Sequence, residues 1–343
     1  SSGGRGSSGG GEAVRTANDL FALLAARTRA WQFYNWYWGD AIAIDGLLEA
    51  RRDDEPGIRT WVVEQLTRWA TTAPDNYDDV LAPGRAIVNL VSSKDLDRRA
   101  LDRFINAVDR LPVLDCGMPA LEPHRPVYRF GACIDALYHL PVALAAHGRY
   151  VGDEKRIHRA IHMAVATSDA LACEGGWAQW YDAAQRRNNG IPWSRGVGWA
   201  VLGLLDLLEI VDGLPGSERV REIAVAMLEL LAKTQGDDGN WPGVLGDDEA
   251  MVETSTAAFF IASARHPTIK ATWKAPSDVL ERAVASLKRA VDSEGVARGV
   301  SCDILPSWDI EGYRRFRCEP SPWGQGAALR AASALRDDEG DCP

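Results

Sequence analysis

An aspartate inside an apolar, helical-looking stretch is the residue of this chain whose setting most directly suggests chemistry. The stretch covers residues 127–141 (VYRFGACIDALYHLP), and Asp135 is its single carboxylate. Desolvating an ionised carboxylate without a partner costs several kcal/mol. Asp135 is therefore either satisfied by structural contacts or placed where its proton takes part in a reaction.

A second candidate is the arginine in residues 191–206 (IPWSRGVGWAVLGLLD). Pro192 and Ser194 are typical of a helix entry, with Ser194 as the N-cap, so Arg195 is predicted in the first turn. A cation there opposes the helix dipole. A bound anionic ligand would resolve the conflict, because guanidinium and free N–H groups both favour a carboxylate. A salt bridge to a neighbouring acid is the alternative.

Tryptophan is abundant, with 13 residues, and many of them stand at predicted helix starts or in the loops before them. Loops concentrate binding residues, and an aromatic face can stack on the apolar side of a sugar ring. The alternative is that the rings fill the ends of the helical fold. The tryptophans concerned are Trp31, Trp36, Trp38, Trp177, Trp180, Trp193, Trp199, Trp241 and Trp323.

The elements that must position these residues are helices. Apolar periodicity and stop signals predict twelve of them, or six helical hairpins, and strand alternation is suggested only around 295–304. Six hairpins favour an all-α (α/α)6 barrel over an open solenoid, because the chain has no fixed short repeat. The predicted helices cover 13–29, 38–51, 57–73, 83–93, 97–111, 130–147, 153–172, 194–212, 217–235, 251–264, 276–292 and 323–336.

Composition indicates one large domain. The chain has 343 residues, 46% of them hydrophobic, and no Pro/Gly/Ser-rich linker interrupts its interior. Residues 1–11 are expected to be a flexible tail or tag remnant, and 12–343 a single domain. A net charge of -10 disfavours nucleic acid and anionic membranes as partners, but not a small anionic ligand in a local basic pocket. Neither a membrane span nor a signal peptide is evident, so a soluble, cytoplasmic protein is expected.

The six cysteines do not indicate a metal site, because they show neither CxxC nor Cys/His spacing. Cys133 and Cys173 have apolar surroundings typical of buried reduced thiols. Only Cys302 and Cys318 look placed to form a disulfide.

Four segments together resemble the unsaturated glucuronyl and rhamnogalacturonyl hydrolases, glycoside hydrolase families 88 and 105. They are 75–84 (DNYDDVLAPG), 134–141 (IDALYHLP), 193–199 (WSRGVGW) and 253–258 (ETSTAA). They occur in the family's order, and the resemblance covers roughly residues 30–336. The family fold is an (α/α)6 barrel, as the helix count predicts independently.

The resemblance implies an enzyme that hydrates a double bond and needs no metal or nucleotide. Its partner would be a small-molecule substrate, an oligosaccharide left by a polysaccharide lyase with a 4,5-unsaturated uronic acid at its non-reducing end. Asp135 would protonate C4 and activate the water that adds at C5, with Asp79 as the second carboxylate of the site. Protonation at neutral pH needs a raised pKa, which an apolar setting and a nearby like charge would give Asp135.

The remaining site residues also follow from the resemblance. Arg195 would bind the substrate carboxylate between Trp193 and Trp199, and the other predicted substrate-binding residues are Trp38, Asp40, Tyr138, His139 and Gln179. Three positions depart from the family pattern: Gln179 replaces a usual histidine, Val197 a common asparagine and His139 a more frequent methionine. At i+4 from Asp135, His139 would either tune that carboxyl or simply pack in the barrel wall.

Two other classes of function stay open at this level. Another barrel enzyme would use Asp79 and Asp135 as widely spaced carboxylates of an inverting glycosidase, or Tyr138 and His139 as the pair of a uronate lyase. A non-catalytic uronate-binding protein would keep the tryptophans and Arg195, but would have no need of a desolvated Asp135.

Overall fold

The computed structural model describes residues 15–51 and 57–340, with side chains described up to residue 337. The predicted tail at 1–11 lies outside these ranges. Twelve longer helices alternate between an inner and an outer layer. The inner helices are α2 (Asp40–Leu48), α4 (Gly84–Ser92), α7 (Pro141–Val151), α9 (Ser194–Val211), α11 (Ser255–Ala264) and α14 (Pro322–Gly340). The outer helices are α1 (Ala17–Thr28), α3 (Ile58–Thr72), α5 (Arg98–Asp109), α8 (Glu154–Leu171), α10 (Ser217–Thr234) and α12 (Ser277–Ala290).

The inner helices form a closed ring. Each one contacts the next in chain order, and α14 returns to contact α2. Two short helices, α6 (Ala136–His139) and α13 (Glu311–Arg314), and a 3-10 turn at Tyr77–Leu81 lie in the connections. Ring closure is the defining feature of an (α/α)6 barrel, so the predicted fold is confirmed and the open solenoid is wrong.

The two layers follow from hydrophobic patterning. The inner helix α11 is buried at all ten of its residues, as expected for a helix surrounded by others. The outer helix α5 instead buries one stripe, consisting of Ala100, Leu101, Phe104, Ala107 and Val108. This i, i+4, i+7 spacing places apolar side chains on one face and leaves the other face to solvent.

A glycine allows the closest helix contact near the candidate site. A Cβ atom at Gly203 of α9 would lie 2.4 Å from the Tyr138 Cα atom and 2.5 Å from the Leu137 carbonyl oxygen. Because backbone cannot yield as a side-chain tip can, only glycine fits between α9 and α6. This contact fixes the helix that carries Arg195 against the segment that carries Asp135.

Three small antiparallel sheets join the ends of the helices. The largest has the order β1-β4-β5, with β1 at Gly131–Cys133, β4 at Trp180–Asp182 and β5 at Arg187–Asn188. Asp182 stands opposite Gly131 on one side and Arg187 on the other. The other two sheets pair β2 (Ala172–Cys173) with β3 (Gly176–Trp177), and β6 (Trp241–Pro242) with β7 (Val252–Glu253).

Two predicted helices need correction. The helix predicted at 130–147 is wrong in its first part, because Gly131–Cys133 pairs with β4 and the chain then enters α6 and α7 separately. The helix predicted at 251–264 begins only at Ser255, because Val252–Glu253 pairs with β6. Short apolar segments fit strand and helix alike, and pairing with a distant strand decides between them. The suggested strand at 295–304 is also wrong, since this segment forms only isolated bridges.

Two further properties bear on the sequence predictions. Cys302 and Cys318, the two cysteines that looked placed to form a disulfide, are free thiols, although the neighbouring Ser301 forms a β-bridge with Cys318. Among the helices of the described ranges, none combines the length and apolar character that crossing a membrane requires.

Candidate active site

A cavity opens at the end of the barrel where the inner helices begin. It is narrow, with a cavity volume of about 20 Å³. Its aromatic and polar lining comes from the segments that enter α2, α6, α9 and α14, together with two loop segments. The lining residues are Trp38, Gly39, Tyr128, Cys133, Asp135, Gln179, Trp193, Arg195, Trp199, Asp303, Ile304 and Trp323.

Asp135 lies in the break between β1 and α6. It is the N-cap residue of α6, and its carbonyl accepts a hydrogen bond from the Tyr138 amide at 3.0 Å. The preceding amide, of Ile134, donates to the Gln179 carbonyl oxygen at 2.9 Å. The strand pairing and the helix start together fix the backbone of Asp135, so its side chain belongs to a rigid part of the cavity wall.

The carboxyl group of Asp135 has the properties expected of an acid. Its side chain is buried, and its Oδ1 atom has no hydrogen-bond partner. Burial raises the pKa of Asp135 to about 7, and the negative charges of Asp303 and Glu122 act in the same direction. The positive charge of Arg195 opposes the shift. Asp135 is therefore protonated in a substantial fraction of molecules near neutral pH.

Arg195 is a buried cation without an ion pair among the described residues. It stands at the second position of α9, whose N-cap is Trp193 and not the predicted Ser194. Its guanidinium group lies 4.6 Å from the centre of the Trp193 ring. Burial lowers the pKa of Arg195, but the charges of Glu253 and Asp135 counteract this effect. An arginine remains protonated even so, and its Nε atom lacks a hydrogen-bond partner.

The loop before α14 holds the guanidinium group in place. Arg195 donates from Nη1 to the carbonyl and the hydroxyl oxygen of Ser301, and from Nη2 to the Cys302 carbonyl oxygen at 2.9 Å. The Ser301 hydroxyl in turn lies 3.4 Å from the carboxylate of Glu253. Glu253 is fully buried and accepts a hydrogen bond from the Thr256 amide at 2.6 Å. Glu253 therefore supports Arg195 through Ser301 without contacting it.

Asp303 is the second carboxylate on the cavity wall, and sequence reasoning missed it. It follows the two residues that hold Arg195, and its Oδ2 atom accepts a hydrogen bond from the Tyr37 hydroxyl. Its loop shows neither apolar periodicity nor a motif. Tyr128, Cys133, Ile304 and Gly39 also line the cavity and were not among the predicted site residues.

The position that sequence analysis assigned to Asp79 needs correction. Asp79 is buried, but it does not line the cavity. Its Oδ2 atom lies 2.9 Å from Nε of Arg103, and its Oδ1 atom accepts a hydrogen bond from the Trp69 indole at 3.0 Å. Oδ2 also accepts from the Asn76 amide at 3.1 Å, which caps the 3-10 turn. Asp79 is thus fully engaged in holding this turn against α3 and α5.

Gln179 lies on the cavity wall. Its Nε2 atom donates to the Ile304 carbonyl oxygen at 3.1 Å, and its Oε1 atom accepts from the Tyr313 hydroxyl. Both polar atoms of the amide are used, so Gln179 anchors the 303–310 loop to the wall.

His139 and Tyr138 lie beneath the cavity lining. The His139 ring is buried between Trp38, Tyr138 and Trp199, with both of its nitrogens unpartnered. Burial lowers the pKa of His139 to about 4, so the ring is neutral at pH 7. Because neither ring nitrogen has a hydrogen-bond partner, His139 makes no hydrogen bond to Asp135. The Tyr138 hydroxyl donates to Asp45 Oδ2 at 2.6 Å, inside the barrel. Neither side chain is among those that line the cavity.

The predicted aromatic residues divide between the cavity and the core. Trp38, Trp193, Trp199 and Trp323 line the cavity, whereas Trp36 and Trp241 are fully packed in the core.

Asp40, the first residue of α2, follows the lining residue Gly39, and its side chain accepts a hydrogen bond from the Tyr37 amide at 3.0 Å. Burial raises the pKa of Asp40 to about 7, but its side chain does not line the cavity.

Two groups of acidic and histidine side chains in the described ranges are compact enough to hold a metal ion. One consists of Asp78, Glu122 and His124, and the other of Asp206, Glu209 and His266. The central carboxylate of each group already has a cationic partner. Glu122 lies 3.1 Å from Nε of Arg125, and Asp206 lies 2.6 Å from Nη1 of Arg85. The arrangement of each group is that of an ion-pair network.

Comparison with known proteins shows the family to which this chain belongs. The family model for Glycosyl Hydrolase Family 88 matches residues 28–336, which is most of the barrel. The chain belongs to glycosyl hydrolase family 88. This family assignment agrees with the resemblance noted in the four sequence segments.

Individual relatives within the family are distant. The chain is 28% identical over 152 residues to the unsaturated rhamnogalacturonyl hydrolase YesR of Bacillus subtilis, covering 44% of this chain and 43% of that protein. It is 26% identical over 222 residues to an unsaturated 3S-rhamnoglycuronyl hydrolase of an Alteromonas species, covering 59% of this chain and 50% of that protein. The matched segments therefore span about half the length of these curated relatives or less.

Solved structures show the same fold over nearly the whole chain. A candidate member of glycoside hydrolase family 105 from Salmonella enterica superposes with a TM-score of 0.83 at 18% identity, covering 96% of each chain. The unsaturated glucuronyl hydrolase of Bacillus sp. GL1 superposes with a TM-score of 0.69 at 16% identity, covering 94% of this chain and 96% of that chain. The shared architecture extends to a structure that is only distantly related in sequence.

Proposed function

We propose that this protein removes a 4,5-unsaturated uronic acid from the non-reducing end of lyase-generated oligosaccharides by hydrating the C4–C5 double bond. The observation that carries the proposal is the shared cavity of Asp135 and Arg195. A carboxyl with a pKa of about 7 and a buried guanidinium that has no ion pair among the described residues together suit a substrate that has one carboxylate and needs one proton.

Asp135 is the proposed general acid and base. In its protonated form it delivers a proton to C4 of the unsaturated ring, and the positive charge that develops at C5 is stabilised by the ring oxygen. The Asp135 carboxylate then takes a proton from the water that adds at C5, which restores the acid. The product is a hemiketal at C5, and its opening breaks the C5–O5 bond to give a ketone at C5 and a hemiacetal at C1. Collapse of that hemiacetal to an aldehyde breaks the glycosidic bond at C1 and releases the remaining saccharide as an alcohol.

Arg195 is the proposed anchor for the uronate carboxylate. Its side chain is held in one orientation by Ser301 and Cys302, and its free Nε–H is available to a carboxylate oxygen. The indoles of Trp193 and Trp199 form apolar walls for the sugar ring on either side. A fixed carboxylate and a fixed ring hold C4 close to Asp135, which lowers the entropic part of the barrier.

The alternatives receive less support from the geometry. An inverting glycosidase built on Asp79 and Asp135 is disfavoured, because Asp79 is ion-paired with Arg103 away from the cavity. A lyase built on Tyr138 and His139 is disfavoured, because neither side chain lines the cavity. The names of the two curated relatives, a rhamnogalacturonyl and a 3S-rhamnoglycuronyl hydrolase, support an unsaturated uronate attached to rhamnose as the first substrate to test.

The test is a loss of ultraviolet absorbance. The conjugated double bond of an unsaturated uronate absorbs, and its hydration removes the absorbance. The protein should be incubated with lyase products of rhamnogalacturonan, ulvan and glycosaminoglycans, and with saturated aryl glycosides. A fall in absorbance with at least one lyase product is expected. Cleavage of saturated glycosides alone would instead favour the inverting-glycosidase alternative.

A further inference from the structure

Trp308 is exposed on the same loop that forms part of the cavity wall. All 13 tryptophans lie within the described ranges, and Trp308 is the most exposed of them, with 46% of its surface accessible. The loop also carries Asp303 and Ile304, which line the cavity. It is held in place at Ser307, whose carbonyl oxygen accepts a hydrogen bond from Asn189 at 2.8 Å. Trp308 therefore stands four residues beyond the lining residue Ile304, on an anchored loop, with its indole open to solvent.

An arginine stacks on the Trp308 indole. The guanidinium group of Arg187 lies 4.2 Å from the ring centre. Its Nε atom donates to the Gln185 side chain at 2.9 Å, and it forms no ion pair among the described residues. Arg187 lies on β5, in the sheet whose β1 strand leads directly to Asp135. The stacked pair is thus built on the sheet that positions the proposed acid.

A second arginine–aromatic stack lies at the same end of this sheet. Phe130, which precedes β1, is 51% exposed, and the Arg129 guanidinium lies 5.0 Å from its ring centre. The Phe130 carbonyl oxygen accepts a hydrogen bond from the Ala183 amide at 2.7 Å, in the turn that leads to Arg187. Two exposed aromatic rings and two guanidinium groups therefore border the turn between β4 and β5.

Arg129, Arg186 and Arg187 border this turn in a chain whose net charge is -10. Arg186 in the same turn lies 3.5 Å from Asp115, and its side chain is 81% exposed. The nearby Asp309 accepts from the Glu311 amide at 3.0 Å, and Glu311 pairs with Arg314. Asp182, opposite Arg187 in the sheet, accepts from the Gln185 amide at 3.0 Å. Neither Nη1 nor Nη2 of Arg187 donates a hydrogen bond to another described residue.

We infer that Trp308 and Arg187 form a subsite for the saccharide that leaves the cavity, and that this saccharide carries a carboxylate or sulfate group. The inference rests on the proposed function and adds the class of the leaving group to it. The apolar side of a sugar ring fits an exposed indole, and an anionic substituent fits a guanidinium with free donors. The pair acts on binding and specificity, not on the chemical step.

The test compares Trp308→Ala and Arg187→Gln with the wild-type protein on three unsaturated substrates. In these, the uronate is attached to a neutral hexose, to the same hexose with a sulfate, or to a hexose followed by a second uronate. Trp308→Ala should raise KM about tenfold on all three, with kcat within about twofold. Arg187→Gln should raise KM about tenfold only on the substrates with an added anionic group, and the affected substrate identifies sulfate or carboxylate.

Two control variants lie away from the rim. Tyr150→Ala removes a ring that is 39% exposed at the far end of α7, and Arg98→Gln removes an exposed arginine on the outer helix α5. Neither should change KM. Equal KM values for Trp308→Ala and the wild type would overturn the subsite, as would an Arg187→Gln effect of the same size on the neutral substrate.

A separate measurement distinguishes failure of this inference from failure of the proposed function. Calorimetry with saturated oligogalacturonate and with a saturated chondroitin sulfate tetrasaccharide measures binding without turnover. If no unsaturated substrate is hydrated, the proposed function fails, and weaker binding by Trp308→Ala would still support the subsite. If substrates are hydrated but neither variant changes KM or binding, the subsite alone is wrong.

Discussion

The Asp135 carboxyl and the Arg195 guanidinium line one cavity without forming an ion pair with each other. Each is buried, and each keeps a polar atom without a hydrogen-bond partner, Oδ1 of Asp135 and Nε of Arg195. Buried polar atoms in native proteins usually have partners, and exceptions concentrate where a ligand completes the set. A substrate with an anionic group and a proton-accepting carbon would occupy both atoms together.

Arg195→Lys should weaken binding of the uronate strongly. Lysine keeps the positive charge, but it loses the planar donor group that Ser301 and Cys302 hold in place. We expect KM and the dissociation constant of uronate products to rise well over tenfold, or about 1.4 kcal/mol or more. Surface Arg298→Lys is the control. Unchanged product binding by calorimetry would remove Arg195 from the site.

Asp79→Asn should destabilise the fold and leave the chemistry intact. The substitution breaks a buried pair with Arg103, whose side chain is only 10% exposed, and removal of one partner of such a pair costs about 3 kcal/mol or more. Urea unfolding should show this loss, while kcat below the unfolding transition stays close to wild type. Asp75→Asn, at a carboxylate that is 82% exposed, should have little effect on stability. A large fall in kcat with unchanged stability would restore Asp79 to the catalytic site.

Asp303→Asn should move the pH profile. The acid must be protonated, so kcat is expected to fall as pH rises through the Asp135 pKa of about 7. The negative charge of Asp303 contributes to raising that pKa, so its removal lowers it and shifts the falling limb to lower pH. Tyr37→Phe removes the hydrogen bond to Asp303 but keeps the charge, and should shift the limb much less. An unshifted limb in Asp303→Asn would show that the two carboxyl groups do not interact.

His139→Met should retain activity within about threefold, because both side chains fill similar apolar space. The His139 ring is neutral and surrounded by Trp38, Tyr138 and Trp199, and it does not contribute to the raised pKa of Asp135. The pH profile should therefore be unchanged. A shifted profile, or a loss of activity that exceeds any loss of stability, would assign His139 a role in proton transfer.

Local sequence signals predicted the barrel well and the site only in part. Helices such as α5 follow from a single apolar stripe, and α11 from a run of small and apolar residues. Asp135 and Arg195 stood out because a charge in an apolar segment conflicts with its surroundings. Asp303 gave no such signal, since its place on the cavity wall depends on contacts from distant segments, to Tyr37 directly and from Gln179 to the neighbouring Ile304. Asp79 was misplaced because its partner Arg103 comes from a different helix.

The most direct test of the account is hydration of an unsaturated oligosaccharide in deuterium oxide, followed by mass spectrometry and proton NMR of the released keto sugar. Asp135 exchanges its proton with solvent, so the wild-type protein should place one deuterium at C4. Asp135→Asn should lower turnover by about a thousandfold or more while the fold is retained, because the amide cannot deliver a proton. A product without deuterium at C4, or a wild-type rate for Asp135→Asn, would contradict hydration by this residue.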